Sequence, residues 1–313
     1  METVEKRTGK LFGDLWLAYD DLLFKQSVEL FGERWRANGE RADFFDNKRC
    51  LDAGCGGGRF SFAMAQMGAE SVVGVDVSAA GVADATRRRD ALDLTNVTFA
   101  QSSLLDLPYA DGAFDFVCCS GVLHHTVSIE DGLAEIRRVL APGGSVYLLL
   151  YGAGGLYWPL NYVLRSFAQY LGREEVERCI EAAGLPSNKR RTILDDLFVP
   201  ILETYTAERV DHLLKSAGFR RWRRWKAGQL DHETNPEHLL SELRIRAALW
   251  LAGTVGARGN VAIVESGLAH VCEAVTNLGA ALVEQQQMGL LTEDELRAAV
   301  IGHGHHRLIA ECS

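Results

Sequence analysis

A run of glycines and one later acidic residue have the types and the spacing of a nucleotide-binding site. The segment Leu51–Arg59 reads Leu-Asp-Ala-Gly-Cys-Gly-Gly-Gly-Arg, ends a predicted strand and opens a predicted helix. Glycine lets a backbone turn tightly and approach a ligand without a Cβ in the way. Asp76 lies 22 residues after Gly54, at the end of the next predicted strand, where a carboxylate can accept hydrogen bonds from both hydroxyls of an adenosine ribose. Together they predict a site for an adenosine-containing cofactor.

Nicotinamide dinucleotides use the same geometry, and two positions separate them from S-adenosylmethionine. In the dinucleotide fingerprint a third glycine permits close helix–strand packing, and the pyrophosphate lies at the helix N-terminus. Here Arg59 stands in place of that glycine. Asp52, two residues before Gly54, would attract the cationic amino-acid end of S-adenosylmethionine and repel a pyrophosphate. The loop therefore favours S-adenosylmethionine.

Two consecutive histidines, His124 and His125, follow the fourth predicted strand. A neutral imidazole has the unperturbed pKa best suited to accepting a proton near neutrality. Either histidine is a candidate catalytic base toward a methyl acceptor. The alternative is that the pair only forms hydrogen bonds with the backbone of its loop, and one histidine could fill each role.

The elements that must position these residues alternate along the chain. From Cys50 onward, short β-rich runs alternate with helical stretches. The predicted strands cover Cys50–Ala53, Val72–Val77, Val97–Ala100, Phe114–Ser120 and Ser145–Tyr151. Such alternation is typical of an α/β fold with a mostly parallel, doubly wound sheet in a three-layer sandwich. A short strand at Phe219–Trp225, after a helix capped by Thr206, is expected to complete the core.

The motifs continue in order beyond the glycine loop. Leu51–Phe60 resembles the first motif of class I S-adenosylmethionine-dependent methyltransferases of the small-molecule type, and Val73–Ser78 resembles the second. Four further segments resemble, in order and spacing, the rest of that family's core: Gln101–Tyr109, Phe114–Val117, Gly121–His125 and Leu140–Gly144.

This resemblance implies that the cofactor contacts Asp52, Gly54, Cys55, Gly56, Asp76, Val77, Ser103, Leu104 and Ser120. In that assignment Asp52 and the glycines surround the methionine part, and Asp76 holds the ribose. Many relatives have an acid near the adenine amino group, where this sequence has Ser103. The contact would then fall to the Ser103 hydroxyl or to the backbone of Leu104.

Composition and charge narrow the class of acceptor. The formal net charge is −9, which disfavours general attraction to nucleic acid. One run, Phe219–Lys226, interleaves arginines with aromatic residues as nucleic-acid surfaces do, although an exposed edge strand shows the same pattern. We expect an O- or N-methyltransferase acting on a small, partly apolar metabolite in biosynthesis. The alternatives are a methyltransferase acting on RNA or protein, and a non-catalytic binding protein for S-adenosylmethionine.

Further helical segments are expected to surround the core. The predicted division is an N-terminal helical lid at 1–45, a core at 46–152, an inserted helical cap for the acceptor at 153–204, the remainder of the core at 205–235 and a C-terminal helical extension at 236–313. An apolar stripe from Val264 to Leu282 favours packing on the core or a homodimer. No metal site is expected, and His303, His305 and His306 are interpreted as charge partners of a helix C-terminus. Without a visible signal sequence or membrane span, the protein is expected in the cytoplasm.

Overall fold

The helices and strands alternate through the first half of the chain. The computed structural model describes residues 3–17, 19–182, 187–226, 235–238, 240, 241, 245 and 261–312. Its main elements are α1 (Val4–Leu17), α2 (Asp21–Ala37), β1 (Arg49–Ala53), α3 (Arg59–Gln66), β2 (Ser71–Asp76), α4 (Ala79–Ala91), β3 (Val97–Gln101), β4 (Phe114–Ser120), α5 (Ile129–Val139), β5 (Leu140–Leu150), α6 (Tyr157–Leu171), α7 (Arg173–Ala182), α8 (Ser187–Phe198), α9 (Ala207–Ser216), β6 (Arg221–Arg224), α10 (Val261–Gln287), α11 (Glu293–Ile301) and β7 (His306–Glu311). Within these described residues, no helix has both the length and the apolar content of a membrane span.

The strands form one sheet in the order β3-β2-β1-β4-β5-β7-β6. The first five are parallel, whereas β7 pairs antiparallel with both β5 and β6. The predicted mostly parallel α/β sheet is therefore confirmed. The strand order reverses direction at β1 and β4, and their carboxyl ends form the crevice where open α/β sheets bind ligands.

Helices cover both faces of this sheet, because alternate residues of each buried strand point to opposite sides. One apolar cluster joins Leu51 and Val75 to Leu133 and Ile136 of α5 and to Val210 of α9. The other cluster includes Cys50, Val72, Phe31, Trp35 and Phe62, and so brings α2 and α3 onto the opposite face. Side-chain caps fix several helix starts, including Thr206 before α9 and the predicted capping box of Thr292 and Glu295 before α11.

The chain divides into two units. The first contains the described residues up to 151, those from 200 to 226 and those from 305 to 312. It holds the whole sheet together with α1 to α5 and α9. The second contains the described residues 152–199 and those between 235 and 304, which are mainly helical.

The C-terminal residues differ from the sequence expectation. His306–Glu311 is not part of a helical extension but forms β7, between β5 and β6. The reason is that β7 is buried along nearly its whole length, so it lacks the polar alternation that identifies a half-exposed strand, and a short apolar run does not distinguish strand from helix. His305 and His306 therefore do not serve a helix C-terminus, since α11 ends at Ile301.

Candidate active site

The glycine loop forms a tight turn against the end of β2. The backbone N–H groups of Gly54 and Cys55 both donate to the Val75 carbonyl, at 2.8 and 2.9 Å. Gly54 and Gly56 have φ angles of 84° and 52°, a left-handed region that favours glycine. A Cβ on Gly54 would lie 2.3 Å from the Val122 side chain. Glycine is thus required here by conformation and by space.

Asp76 lies at the carboxyl end of β2 and is tied to the glycine loop. Its Oδ2 accepts a hydrogen bond from the Gly56 N–H, and its Oδ1 accepts one from the Ser78 N–H, each at 2.8 Å. Burial raises the pKa of Asp76, and these two N–H groups oppose the rise. A carboxylate has about four lone-pair positions, so each oxygen retains the capacity to accept from a ribose hydroxyl. The position and orientation fit the predicted role.

Asp52, on β1, is fully buried. Its Oδ2 accepts a hydrogen bond from the Ser61 hydroxyl at 2.6 Å. Within the part of the chain that the structure describes, its Oδ1 has no hydrogen-bond partner. Burial raises the pKa of Asp52 to about 7. A buried carboxylate oxygen without a partner is costly, and a bound ammonium group would compensate it, so this residue fits the amino-acid end of S-adenosylmethionine.

The predicted adenine contacts lie on two loops, Val77 after β2 and Ser103 and Leu104 after β3. Leu104 and Cys55 are buried, and the carbonyl of Val77 accepts from the Gln101 side chain at 3.0 Å. The Ser103 hydroxyl donates to Glu5 of α1 at 2.6 Å. Sequence reasoning missed Glu5, although its spacing of four from Gly9 places both on one helix face.

The N-terminal helix α1 packs closely on this edge of the sheet. A Cβ on Gly9 would lie 3.1 Å from the Val77 carbonyl oxygen, and one on Gly13 would lie 2.5 Å from the Ser78 Oγ. The Trp16 indole lies against the loop, 2.3 Å from where a Cβ on Gly56 would be. The helix therefore lies directly over the glycine loop and the end of β2.

A group of aromatic and imidazole rings lies beyond the end of β4. The His124 ring stacks on Tyr151 with 3.9 Å between centroids, and Tyr151 stacks in turn on His305 at 4.8 Å. His125 contacts His124 edge-on at 4.1 Å and lies 5.3 Å from the Phe12 ring of α1. Tyr151 and His305, brought together by the pairing of β5 with β7, were not predicted for the site.

The two predicted histidines differ in their surroundings. His124 is fully buried, and among the described residues neither of its ring nitrogens has a hydrogen-bond partner. Burial, reinforced by His125 and His305, holds the pKa of His124 well below its usual range. The Nδ1 of His125 lies 2.9 Å from the Ile201 carbonyl oxygen. Because a carbonyl only accepts, Nδ1 carries the proton, and in the neutral ring the lone pair is then on Nε2.

Ser120, the last residue of β4, lies at the same edge of the sheet. Its hydroxyl is buried and has no hydrogen-bond partner among the described residues. Unpartnered polar atoms on Asp52, Ser120 and His124 thus occur at the carboxyl ends of the two central strands and in the turn after β4. This is the arrangement expected where a polar ligand binds.

The basic run near the C-terminal part of the core lies at the edge of the sheet, on β6. Arg223 forms an ion pair with Glu40, and the Trp225 indole donates to the same carboxylate at 2.8 Å. Arg224 pairs with Asp211 at 2.7 Å. Two of the arginines on this edge strand therefore have their charges matched within the chain.

Comparison with known proteins identifies the part of the chain that carries this site. Residues 51–148 match the family described as methyltransferase domain. This stretch of the chain is therefore a methyltransferase domain. The domain is 30% identical over 152 residues to the ubiquinone biosynthesis O-methyltransferase of Burkholderia thailandensis, with 44% of this chain and 64% of that protein covered. It is 35% identical over 116 residues to the tRNA U34 carboxymethyltransferase of Alcanivorax borkumensis, with 37% of this chain and 36% of that protein covered.

Solved structures show the same fold over a longer stretch. The [4+2]-cyclase SpnF aligns with a TM-score of 0.50 at 20% identity, over 91% of this chain and 80% of that one. Among the curated relatives named above, the chain spans between about a third and two thirds of their length. The methyltransferase domain is thus similar to enzymes with different substrates, and the fold alone does not specify the reaction.

Proposed function

We propose that the protein transfers a methyl group from S-adenosylmethionine to an oxygen or nitrogen nucleophile of a small, partly apolar metabolite. The observation that carries the proposal is the pair of carboxylates, the buried Asp52 and the half-buried Asp76, on either side of a glycine loop in a methyltransferase domain. Asp52 has an oxygen without a described partner, and Asp76 is oriented by two backbone N–H groups.

In this proposal each carboxylate holds a different part of the cofactor. The Asp52 carboxylate would bind the ammonium group, and Asp76 would accept from the ribose hydroxyls. Gly54, Gly56 and Cys55 provide a backbone surface with little side-chain obstruction, and Val77, Ser103 and Leu104 would border adenine. Bound S-adenosylmethionine would supply an electrophilic methyl group. Positioning and exclusion of water then supply most of the catalysis.

Of the two histidines, His125 suits proton removal from the acceptor better. Its Nδ1–H is held by the Ile201 carbonyl, which fixes the ring and places the basic lone pair on Nε2. Burial lowers the pKa of His124, which makes this side chain a poor base. We therefore assign His125 as the catalytic base and His124, with Tyr151, as part of the wall against which an apolar acceptor packs.

The acceptor class is inferred from the relatives and from charge. The ubiquinone biosynthesis relative acts, by its name, in small-molecule biosynthesis, and the tRNA relative acts on RNA. Pairing of Arg223 and Arg224 with Glu40 and Asp211 removes part of the positive surface that RNA binding would use. This observation favours a small molecule over the alternative RNA or protein acceptor.

The acceptor cap predicted for residues 153–204 stays a prediction. These residues include a buried Trp158 and the exposed Tyr162 and Tyr170, and such aromatic side chains suit partly apolar ligands. Limited proteolysis with and without S-adenosylhomocysteine and candidate phenolic acceptors tests this role. Protection of α6 that requires the acceptor is expected, and cleavage unchanged by any of these ligands contradicts it.

A homodimer through the C-terminal helices stays a prediction. Val275 of α10 is fully buried, and Leu282 packs against a cluster that contains Leu240 and Leu296, so part of the apolar stripe is covered within the second unit. Light scattering of the full chain over a range of concentrations tests the dimer. A full chain that is monomeric at every concentration excludes it.

The experiment for the proposed function uses S-adenosylmethionine with a radiolabelled methyl group. In separate parallel reactions, the protein and the labelled cofactor are incubated with the small-molecule, the RNA or the protein fraction of a cell extract. Label in an extractable small-molecule product is expected, and it should disappear with Asp76→Ala. Label in precipitated RNA or protein contradicts the acceptor class, and bound cofactor without any transferred label supports the non-catalytic alternative.

A further inference from the structure

The loop after β3 lies beside Asp76, where a nucleoside base would follow a ribose held by that carboxylate. Asp76 pairs in register with Gln101 of β3, and the Ser102 N–H donates to the Asp76 carbonyl at 3.0 Å. Ser103 is the next residue. Ser103 therefore lies two residues beyond the end of β3, the strand that borders Asp76.

Ser103 connects this loop to α1. Its Oγ accepts a hydrogen bond from the Leu105 N–H at 3.1 Å and donates its proton to the Glu5 Oε1 at 2.6 Å. The hydroxyl donor of Ser103 is thus already used. Glu5 is half-buried, and its carboxylate has a second oxygen that can accept from a ligand.

The position of Glu5 is fixed by the packing of its helix. Glu5, Gly9 and Gly13 are four residues apart and share one face of α1. Gly9 lies against Val77 and Gly13 against Ser78, at distances that leave little space for any side chain. Because the two glycines bring the helix backbone onto the end of β2, the same face one turn earlier reaches the end of the neighbouring β3.

We propose that Glu5 is a specificity-determining residue that accepts a hydrogen bond from the exocyclic amine of the cofactor's adenine. The inference rests on the proposed binding of S-adenosylmethionine. A carboxylate can accept from the 6-amino group of adenine, whereas it would repel the carbonyl oxygen that a hypoxanthine base has at that position. Glu5 thereby makes α1 part of the nucleoside site and supplies the negative charge that Ser103 lacks.

The test compares two ligands by calorimetry, S-adenosylhomocysteine and S-inosylhomocysteine, which differ at that position of the base. The wild-type chain is expected to prefer the adenine ligand by at least about tenfold, as a site built for a donor discriminates against an analogue without it. In Glu5→Gln the side-chain amide can donate to the inosine carbonyl, so the preference should fall to about threefold or less. Asp14→Asn removes the same charge at an exposed position of the same helix, and this control should keep the wild-type preference.

A second variant tests whether the carboxylate itself matters. Glu5→Gln combined with Ser103→Asp places an acid on the loop instead of on α1, and it should restore the preference for the adenine ligand. An unchanged preference in Glu5→Gln, with both ligands still bound, overturns the role of Glu5. A double variant that does not regain the preference for the adenine ligand also overturns the role of Glu5. Failure of the wild-type chain to bind S-adenosylhomocysteine at all would instead overturn the proposed function.

Discussion

Asp52→Asn is expected to stabilise the protein at neutral pH while weakening its binding of S-adenosylmethionine. Burial raises the pKa of Asp52 from 3.8 to about 7. Each unit of that difference corresponds to about 1.4 kcal/mol, so ionising this buried group costs the folded state about 4 kcal/mol at pH 8. The folded protein keeps a proton that the unfolded chain has lost between about pH 4 and 7. The stability that the raised pKa of Asp52 contributes is therefore complete below about pH 4 and is lost as the pH rises through 7.

Asparagine removes this pH dependence while it keeps an oxygen to accept from Ser61. Its amide nitrogen would lie where Oδ1 has no described partner, at a cost of about 1–3 kcal/mol that does not vary with pH. The difference in unfolding free energy between variant and wild type should thus increase by about 3 kcal/mol from pH 5 to pH 8. Urea unfolding followed by circular dichroism at four pH values measures it.

The matched control for this experiment is Asp115→Asn. Hydrogen bonding to Arg49 lowers the pKa of Asp115, so this carboxylate is ionised in both folded and unfolded chains above pH 5. Its effect on stability, present above the unfolded pKa and lost only as the pH falls, should be constant between pH 5 and 8. A variant at Asp52 that shows the same constant difference would refute the raised pKa and with it the cost of burying this charge.

Three further predictions concern the rest of the site. His125→Asn should lower the rate of methyl transfer by about a hundredfold or more with little change in the Kd for S-adenosylhomocysteine, and a normal rate would remove His125 as the base. Gly13→Val should weaken binding of S-adenosylhomocysteine and expose α1 to trypsin, because even a Cβ would lie 2.5 Å from the Ser78 hydroxyl; unchanged proteolysis would show that α1 does not depend on this contact. Cys118 and Cys119 should not react with a thiol reagent at pH 8 until urea is added, because burial raises the pKa of both thiols, and rapid reaction of the folded protein would contradict their burial.

Local patterns were sufficient to predict the parallel part of the sheet and the placement of the glycine loop beside Asp76. The glycine loop, Asp76 and the strand ends follow from residue type and spacing over short stretches of chain. The predicted strand Phe114–Ser120 agrees with the structure at both ends. The helix starts at Thr206 and Thr292 could be predicted for the same reason, since a cap involves only three or four neighbouring residues.

Contacts between distant residues could not be predicted in this way. Glu5 and Ser103 are 98 residues apart, and nothing in the pattern around either residue indicates the other. The contact of Tyr151 with His305 depends on β7 pairing with β5. Since the alternation of β7 is hidden by its burial, the sequence analysis predicted a helix there and did not place His305 beside Tyr151.

Calorimetric titration with S-adenosylhomocysteine tests the central claim most directly, because it asks whether the carboxylate-flanked glycine loop binds the nucleoside and requires no acceptor. We predict one binding site per chain, weakened by about tenfold to a hundredfold in Asp76→Ala through loss of charge-assisted hydrogen bonds. Asp106→Ala, a change at an exposed acid on the loop after β3, should bind as the wild type does. Absence of binding to the wild-type chain, or equal affinity in Asp76→Ala, would contradict the account.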